Sequence, residues 1–155
     1  MLQADHKQVQ MLNTLVGINT NRIECYNFIA ATTDISVLQV LFSRLSETSV
    51  ECRAGLINEV YRFGGRPHTG TLVSKEFFKA WLDIHAALDA EDHKAILDAC
   101  HYEESVVTDA YEKVLFKADE TMPGYLLQLL TSQYEFLKED ASKVLNLRSA
   151  LLRAA

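Results

Sequence analysis

The sequence predicts an all-α protein: an antiparallel four-helix bundle with a long, partly helical crossover between helices two and three. Three observations carry this. Only two prolines and six glycines occur in 155 residues, and no stretch alternates apolar and polar residues for long, as a half-buried strand would. Four long stretches instead place apolar residues three and four apart, the spacing of one helix face. The first two are separated only by Thr32-Thr33-Asp34, whereas residues 65–90 separate the second from the third. A short link makes helices one and two antiparallel neighbours. A long one is needed when helices two and three run parallel.

Residues 4–32 form the first helix, with a seam of Val9, Leu12, Val16, Asn19, Ile23, Tyr26 and Ala30. Asp34 or Ser36 caps the second, and Ser36 with Gln39 has capping-box spacing. That helix covers 35–63 and turns inward Leu38, Leu41, Leu45, Thr48 or Ser49, Cys52, Leu56, Val60 and Phe63. Gly64-Gly65 supplies a left-handed stop and Pro67 prevents continuation. Thr71 or Gly70 starts an aromatic-rich helix over 72–89. A fourth stretch, 91–117, follows the acidic break Asp89-Ala90-Glu91-Asp92. The last runs over 122–153, with Thr121 as cap and Pro123 in the first turn, where a missing N–H costs nothing.

Apolar residues make up 48% and charged residues 23%, the balance of one globular domain, taken here as 1–155. The net charge of −6 argues against nucleic acid, which needs a basic stripe. No Lys/Arg cluster marks a membrane surface, and no apolar run approaches the ~20 residues of a membrane span. The segment MLQADHKQVQ lacks a cationic region followed by an apolar run, so no export signal is expected. Cys25, Cys52 and Cys100 are an odd set without a close pair, which implies reduced thiols and a cytoplasmic location. Cys52 and Cys100 are expected to approach each other in the core.

The stretch 91–116 poses the functional question. His93, Leu97, Cys100, Glu104, Val107, Tyr111 and Val114 share one helical face. Glu104 does not suit a buried stripe, because an ionised carboxylate in a core needs a donor, a cation or a shifted pKa. Tyr26, Asn19, Gln133 or a buried water are the partners expected. Glu103 faces inward instead if the register shifts by one. His6, His68, His85, His93 and His101 are scattered without chelating spacing.

Several ordered features carry a family resemblance. They are Leu12 through Asn19 with Ile23-Glu24-x-Tyr26, the Gly64-Gly65-x-Pro67 turn, and Trp81 with Ala86-Ala87-Leu88. Ile96-Leu97-x-x-Cys100-x-x-x-Glu104, Tyr111 and Gln133 complete the set. With them the chain resembles the ferritin-like superfamily and, within it, a small bacterial family of four-helix-bundle proteins of unassigned function. That resemblance implies a di-metal site with a Glu from each of two helices and a Glu-x-x-His pair from each of the other two. Transferred residue by residue, the pattern is degenerate. The first-helix Glu falls on Asn19, the second-helix pair on Ser49 and Cys52, and the fourth-helix pair on Gln133 and Phe136. Only Glu104 keeps a ligand type.

Three functions follow as expectations. The first is a non-catalytic bundle acting through self- or protein association, a homo-oligomer without cofactor. Its inward polar layer is Asn19, Tyr26, Ser49, Cys52, Glu104, Tyr111 and Gln133, and Phe77, Phe78, Trp81, Leu82, Ile84 and Leu88 form its contact surface. The second is a divergent iron or manganese protein, or an oxidoreductase, with a carboxylate cluster of Glu24, Glu51, Glu104 and Glu135. The third is a small-molecule pocket lined by Asn19, Tyr26, Cys52, Glu104, Tyr111 and Gln133.

Overall fold

The structure, a computed structural model, describes residues 3–154 and the side chains of 5–154; Met1, Leu2 and Ala155 of the expected domain lie outside the described residues. It is all-α. The helices are α1 (Gln3–Thr32), α2 (Ser36–Arg62), α3 (Lys75–Asp89), α4 (His93–Phe116) and α5 (Gly124–Ala154). Among the described residues no helix is long and apolar enough to cross a membrane.

Side-chain pairs give the helix directions. Asn27 meets Ser46 and Thr20 meets Arg53, so α1 and α2 are antiparallel. Asn19 meets Tyr111, Arg22 meets Glu104 and Tyr26 meets the Cys100 carbonyl, so α1 and α4 are antiparallel as well. Therefore α2 and α4 run parallel. Helix α5 returns antiparallel to α4, pairing Gln133 with Tyr111 and Arg148 with Asp98.

The connection between the parallel helices is strapped to α1. Asn13 donates to the Arg66 carbonyl (2.9 Å) and accepts from the His68 N–H (2.8 Å). Eight positions on, Asn21 does the same to Leu72, donating to its carbonyl (2.9 Å) and accepting from its N–H (2.7 Å). Between the two asparagines lies Gly17, where an added Cβ would sit 2.8 Å from Leu72 Cβ. Asn13, Gly17 and Asn21 are four residues apart, so they form one stripe that receives the strap.

Several helix ends differ from the sequence expectation. Helix α2 has Ile35 at its N-cap with no side-chain cap. Thr33 accepts from the Ile35 N–H instead, and Gln39 donates to the Thr33 carbonyl. Helix α3 begins at Lys75 rather than 72, because Ser74 Oγ accepts from the Phe77 N–H at 3.0 Å. The strap bonds Leu72 to Asn21, outside the helix and before that cap. Asp92 caps α4 through the Ala95 N–H. Thr121 caps nothing: its N–H and hydroxyl both bond Asp119, and α5 starts after Pro123. Gly64 has φ 79°, the left-handed stop after α2.

The apolar interior forms two clusters along the bundle. One gathers Cys25 to Ile29, Leu38 to Leu45, Phe77, Ile84, Ile96 to Cys100 and Val144. The other gathers Val9 to Ile18, Cys52 to Val60, Val107, Tyr111 and Leu126 to Leu137. Each fully buried Leu, Ile or Phe contributes about 1.5–3 kcal/mol relative to exposure. Two expectations are corrected here. Cys100 shares its cluster with Cys25, not with Cys52. Phe77 and Ile84 are buried in the chain's own core, and Trp81 and Leu88 pack partly against it, so only Phe78 and Leu82 of the six proposed contact residues are exposed.

Candidate functional site

Between the two apolar clusters, all four long helices contribute a polar or charged residue at one level: Arg22, Ser49, Glu104 and Asp140. Each lies three or four residues from a core residue on either side, within the seam of its own helix. Arg22 is the centre. Its side chain is completely buried, a rare state for arginine.

All five N–H groups of the guanidinium find acceptors. Nε donates to Glu104 Oε2 at 2.9 Å, and Nη2 donates to Glu104 Oε1 at 2.8 Å, a two-pronged pair. Nη2 also reaches Asp140 Oδ2 at 3.1 Å. Nη1 donates to the Leu45 carbonyl (2.6 Å) and to Ser49 Oγ (2.9 Å). Tyr26, one turn on, sets its ring 5.1 Å from the guanidinium carbon. Burial alone would lower the Arg22 pKa, but the Glu104 carboxylate, with Tyr26 and Asp140, holds it above its ordinary value. Lys143 Nζ lies 3.7 Å from Asp140 Oδ1, on the outer side of the layer.

A second chain of hydrogen bonds lies one turn away. Asn19 Nδ2 donates to the Tyr111 hydroxyl (3.0 Å), which donates to Gln133 Oε1 (2.7 Å). Gln133 Nε2 donates to the Cys52 carbonyl (3.1 Å). Burial is the first cause holding the Tyr111 hydroxyl neutral, well above its usual pKa. Helices α1, α4, α5 and α2 are thus linked in turn by neutral groups.

Glu103 is a different case. It is 1% exposed, and its Oε2 has no hydrogen-bond partner among the described residues. Burial, reinforced by Glu104, pushes its pKa up to about 8, so it is a neutral acid at neutral pH. Burial also raises all three thiols: Cys52 to about 11, Cys25 further, and Cys100 well above its ordinary value.

Asn19, Tyr26, Ser49, Cys52, Glu104, Tyr111 and Gln133 all lie in the interior, divided between these two networks. None of Tyr26, Asn19 or Gln133 pairs with Glu104; its partner is Arg22. The four-carboxylate cluster is not brought together, because Glu24, Glu51 and Glu135 sit on exposed helix faces. Three of the six pocket residues line two different grooves. Cys52 and Gln133 line a groove of about 490 Å³ between α2 and α5, while Glu104 lines a separate one of about 230 Å³ between α4 and α5. His93 is exposed and His101 half-buried; His85 stacks on Phe28 with centroids 4.0 Å apart.

The donor set does not fit a di-metal centre. The two carboxylates of the layer, Glu104 and Asp140, are both engaged by a fixed cation, and no imidazole points into it. No group of three or more His, Cys, Asp or Glu residues placed to hold a metal ion occurs among the described residues. The layer instead surrounds one buried cation with two carboxylates, a hydroxyl and a backbone carbonyl drawn from α2, α4 and α5.

Sequence reasoning missed Arg22 and Asp140. Both carried a signal: Arg22 is three residues after Asn19 and four before Tyr26, and Asp140 lies three after Leu137 and four before Val144. An opposite charge inside another helix's seam was the partner Glu104 required.

No curated protein matches the chain. Residues 7–117, from α1 through α4, match a family described as a domain of unknown function, DUF2383. The chain belongs to that family.

Proposed function

We propose that the chain is a ferritin-like bundle whose di-metal position has been taken over by the guanidinium of Arg22, and that it acts by association rather than by metal chemistry. The antiparallel pairs, with α2 parallel to α4 across a long connection, support the ferritin-like connectivity. The observation that carries the reading is the complete use of the five Arg22 N–H groups by Glu104, Asp140, Ser49 and Leu45. Carboxylates that would balance divalent cations in such a bundle here balance a cation of the chain itself. The exposed apolar side chains of α3 supply the surface for association.

Elemental analysis of untagged protein tests this, before and after aerobic loading with iron or manganese. The expected result is metal well below one ion per chain and thermal unfolding unchanged by chelator, with a light-scattering mass above that of one chain. About two metal ions per chain, lost in Glu104→Ala, would overturn it.

A further inference from the structure

We infer that the outward face of α3 pairs with the same face of a second copy, antiparallel and symmetric about Leu82. The inference rests on the association reading and names its partner. At 3.6 residues per turn, Lys75, Phe78, Leu82, Ala86 and Asp89 fall on one stripe. All five are exposed, and the stripe lies opposite the buried Phe77, Ala80, Ile84 and Ala87. Phe78 is 51% and Leu82 63% exposed, so an apolar centre is open to water.

The charges around that centre are self-complementary. Lys75 stands at the N-terminal end of the stripe and Asp89 at the C-terminal end, each seven residues from Leu82. Two copies laid antiparallel about Leu82 bring each Lys75 to the partner's Asp89. They also bring each Phe78 over the small Ala86 and the two Leu82 side chains together. Within the chain, α3 makes its ion pair elsewhere: Lys79 bonds Asp83 at 2.7 Å and lies 5.0 Å from the Tyr102 ring, on the side facing α4. Lys75 and Asp89 form no ion pair among the described residues, so both are available. An isologous contact repeats each pair twice, which doubles the effect of a modest surface ion pair.

Sedimentation velocity over a concentration series, on the full chain, tests the pairing through Lys75→Glu and Asp89→Lys. Both substitutions favour the helix dipole, an acid entering the first turn and a base the last, so folding is preserved. Each alone turns two attractions into two repulsions and should weaken the dimer roughly tenfold. An equimolar mixture of the two variants restores both opposite-charge pairs and should dimerise like wild type. Leu82→Asp, which sets two carboxylates face to face, should give monomer. A mixture no tighter than the single variants, or a dimer unaffected by Leu82→Asp, overturns the α3 pairing while leaving association standing. A wild-type chain that is monomeric throughout overturns both.

Discussion

Arg22 on α1 grips Glu104 on α4 through two nearly parallel hydrogen bonds of 2.9 and 2.8 Å, both residues almost wholly excluded from water. The fork geometry has a consequence that charge alone does not. Arg22→Lys keeps the cation but offers three donors from one point in place of five spread over a plane. It should lower stability by about 2–3 kcal/mol in urea unfolding, since Ser49 or the Leu45 carbonyl loses its partner and the two-pronged pair is broken. Wild-type stability in the Lys variant would show that the fork is unimportant.

The Tyr111 hydroxyl carries the neutral network, accepting from Asn19 and donating to Gln133. Tyr111→Phe preserves the ring and strands two buried polar groups. A loss of about 1–3 kcal/mol is expected from thermal or urea unfolding. Asn19 Oδ1 has no partner among the described residues, so Asn19→Leu should cost less than its burial suggests, because a site with an unmet acceptor is removed.

Glu103 gives the fold a pH dependence of definite sign. Its carboxyl titrates near 8 when folded and near 4.5 when unfolded, so the folded chain holds the extra proton between those values. This stabilising protonation is fully present below about pH 4.5 and is lost as pH rises through about 8. The slope is at most about 1.4 kcal/mol per pH unit from this one group. Glu103→Gln should flatten stability measured between pH 5 and 8 and leave the protein more stable at pH 8. An unchanged slope in that variant would place the dependence elsewhere.

The three thiols are buried and held protonated. Because the thiolate is the reactive form, a disulfide exchange reagent should label almost none of them in the native protein and all three in urea. Cys52, which lines the groove between α2 and α5, should react first under mild destabilisation. Rapid native labelling of Cys25 or Cys100 would contradict this packing.

Much of the helical framework was legible in the spacing of apolar residues, because a helix seam repeats over seven or eight turns and averages out local exceptions. The helix ends were less so. Asn13 and Asn21, which strap residues 66–72 to α1, act through side chain to backbone bonds far along the chain, and nothing local in 70–75 marks Ser74 as the true cap. Glu104 was recognisable as a carboxylate out of place, since it interrupts an apolar stripe. Its partner was not, because arginine on a helix is ordinarily a surface residue and Arg22 sits beside polar Asn19, Thr20 and Asn21, also buried. Of the aromatic helix, composition showed the apolar excess but not its division. Phe77 and Ile84 face the core, while Phe78 and Leu82 face outward, a distinction of one residue in register.

The central claim, that a guanidinium of the chain supplies the cation at the heart of the bundle, is tested most directly by a double-mutant cycle. Urea unfolding of wild type, Arg22→Met, Glu104→Met and the double variant yields the coupling between the two side chains. Removing Arg22 leaves Glu104 and Asp140 without their cation, and removing Glu104 leaves Arg22 with Asp140 as its one remaining carboxylate. Each single change should therefore cost about 3–5 kcal/mol, the Arg22 change the more, and the double change should cost less than the two together by about 2–3 kcal/mol. Additive losses, with a coupling near zero, would contradict it.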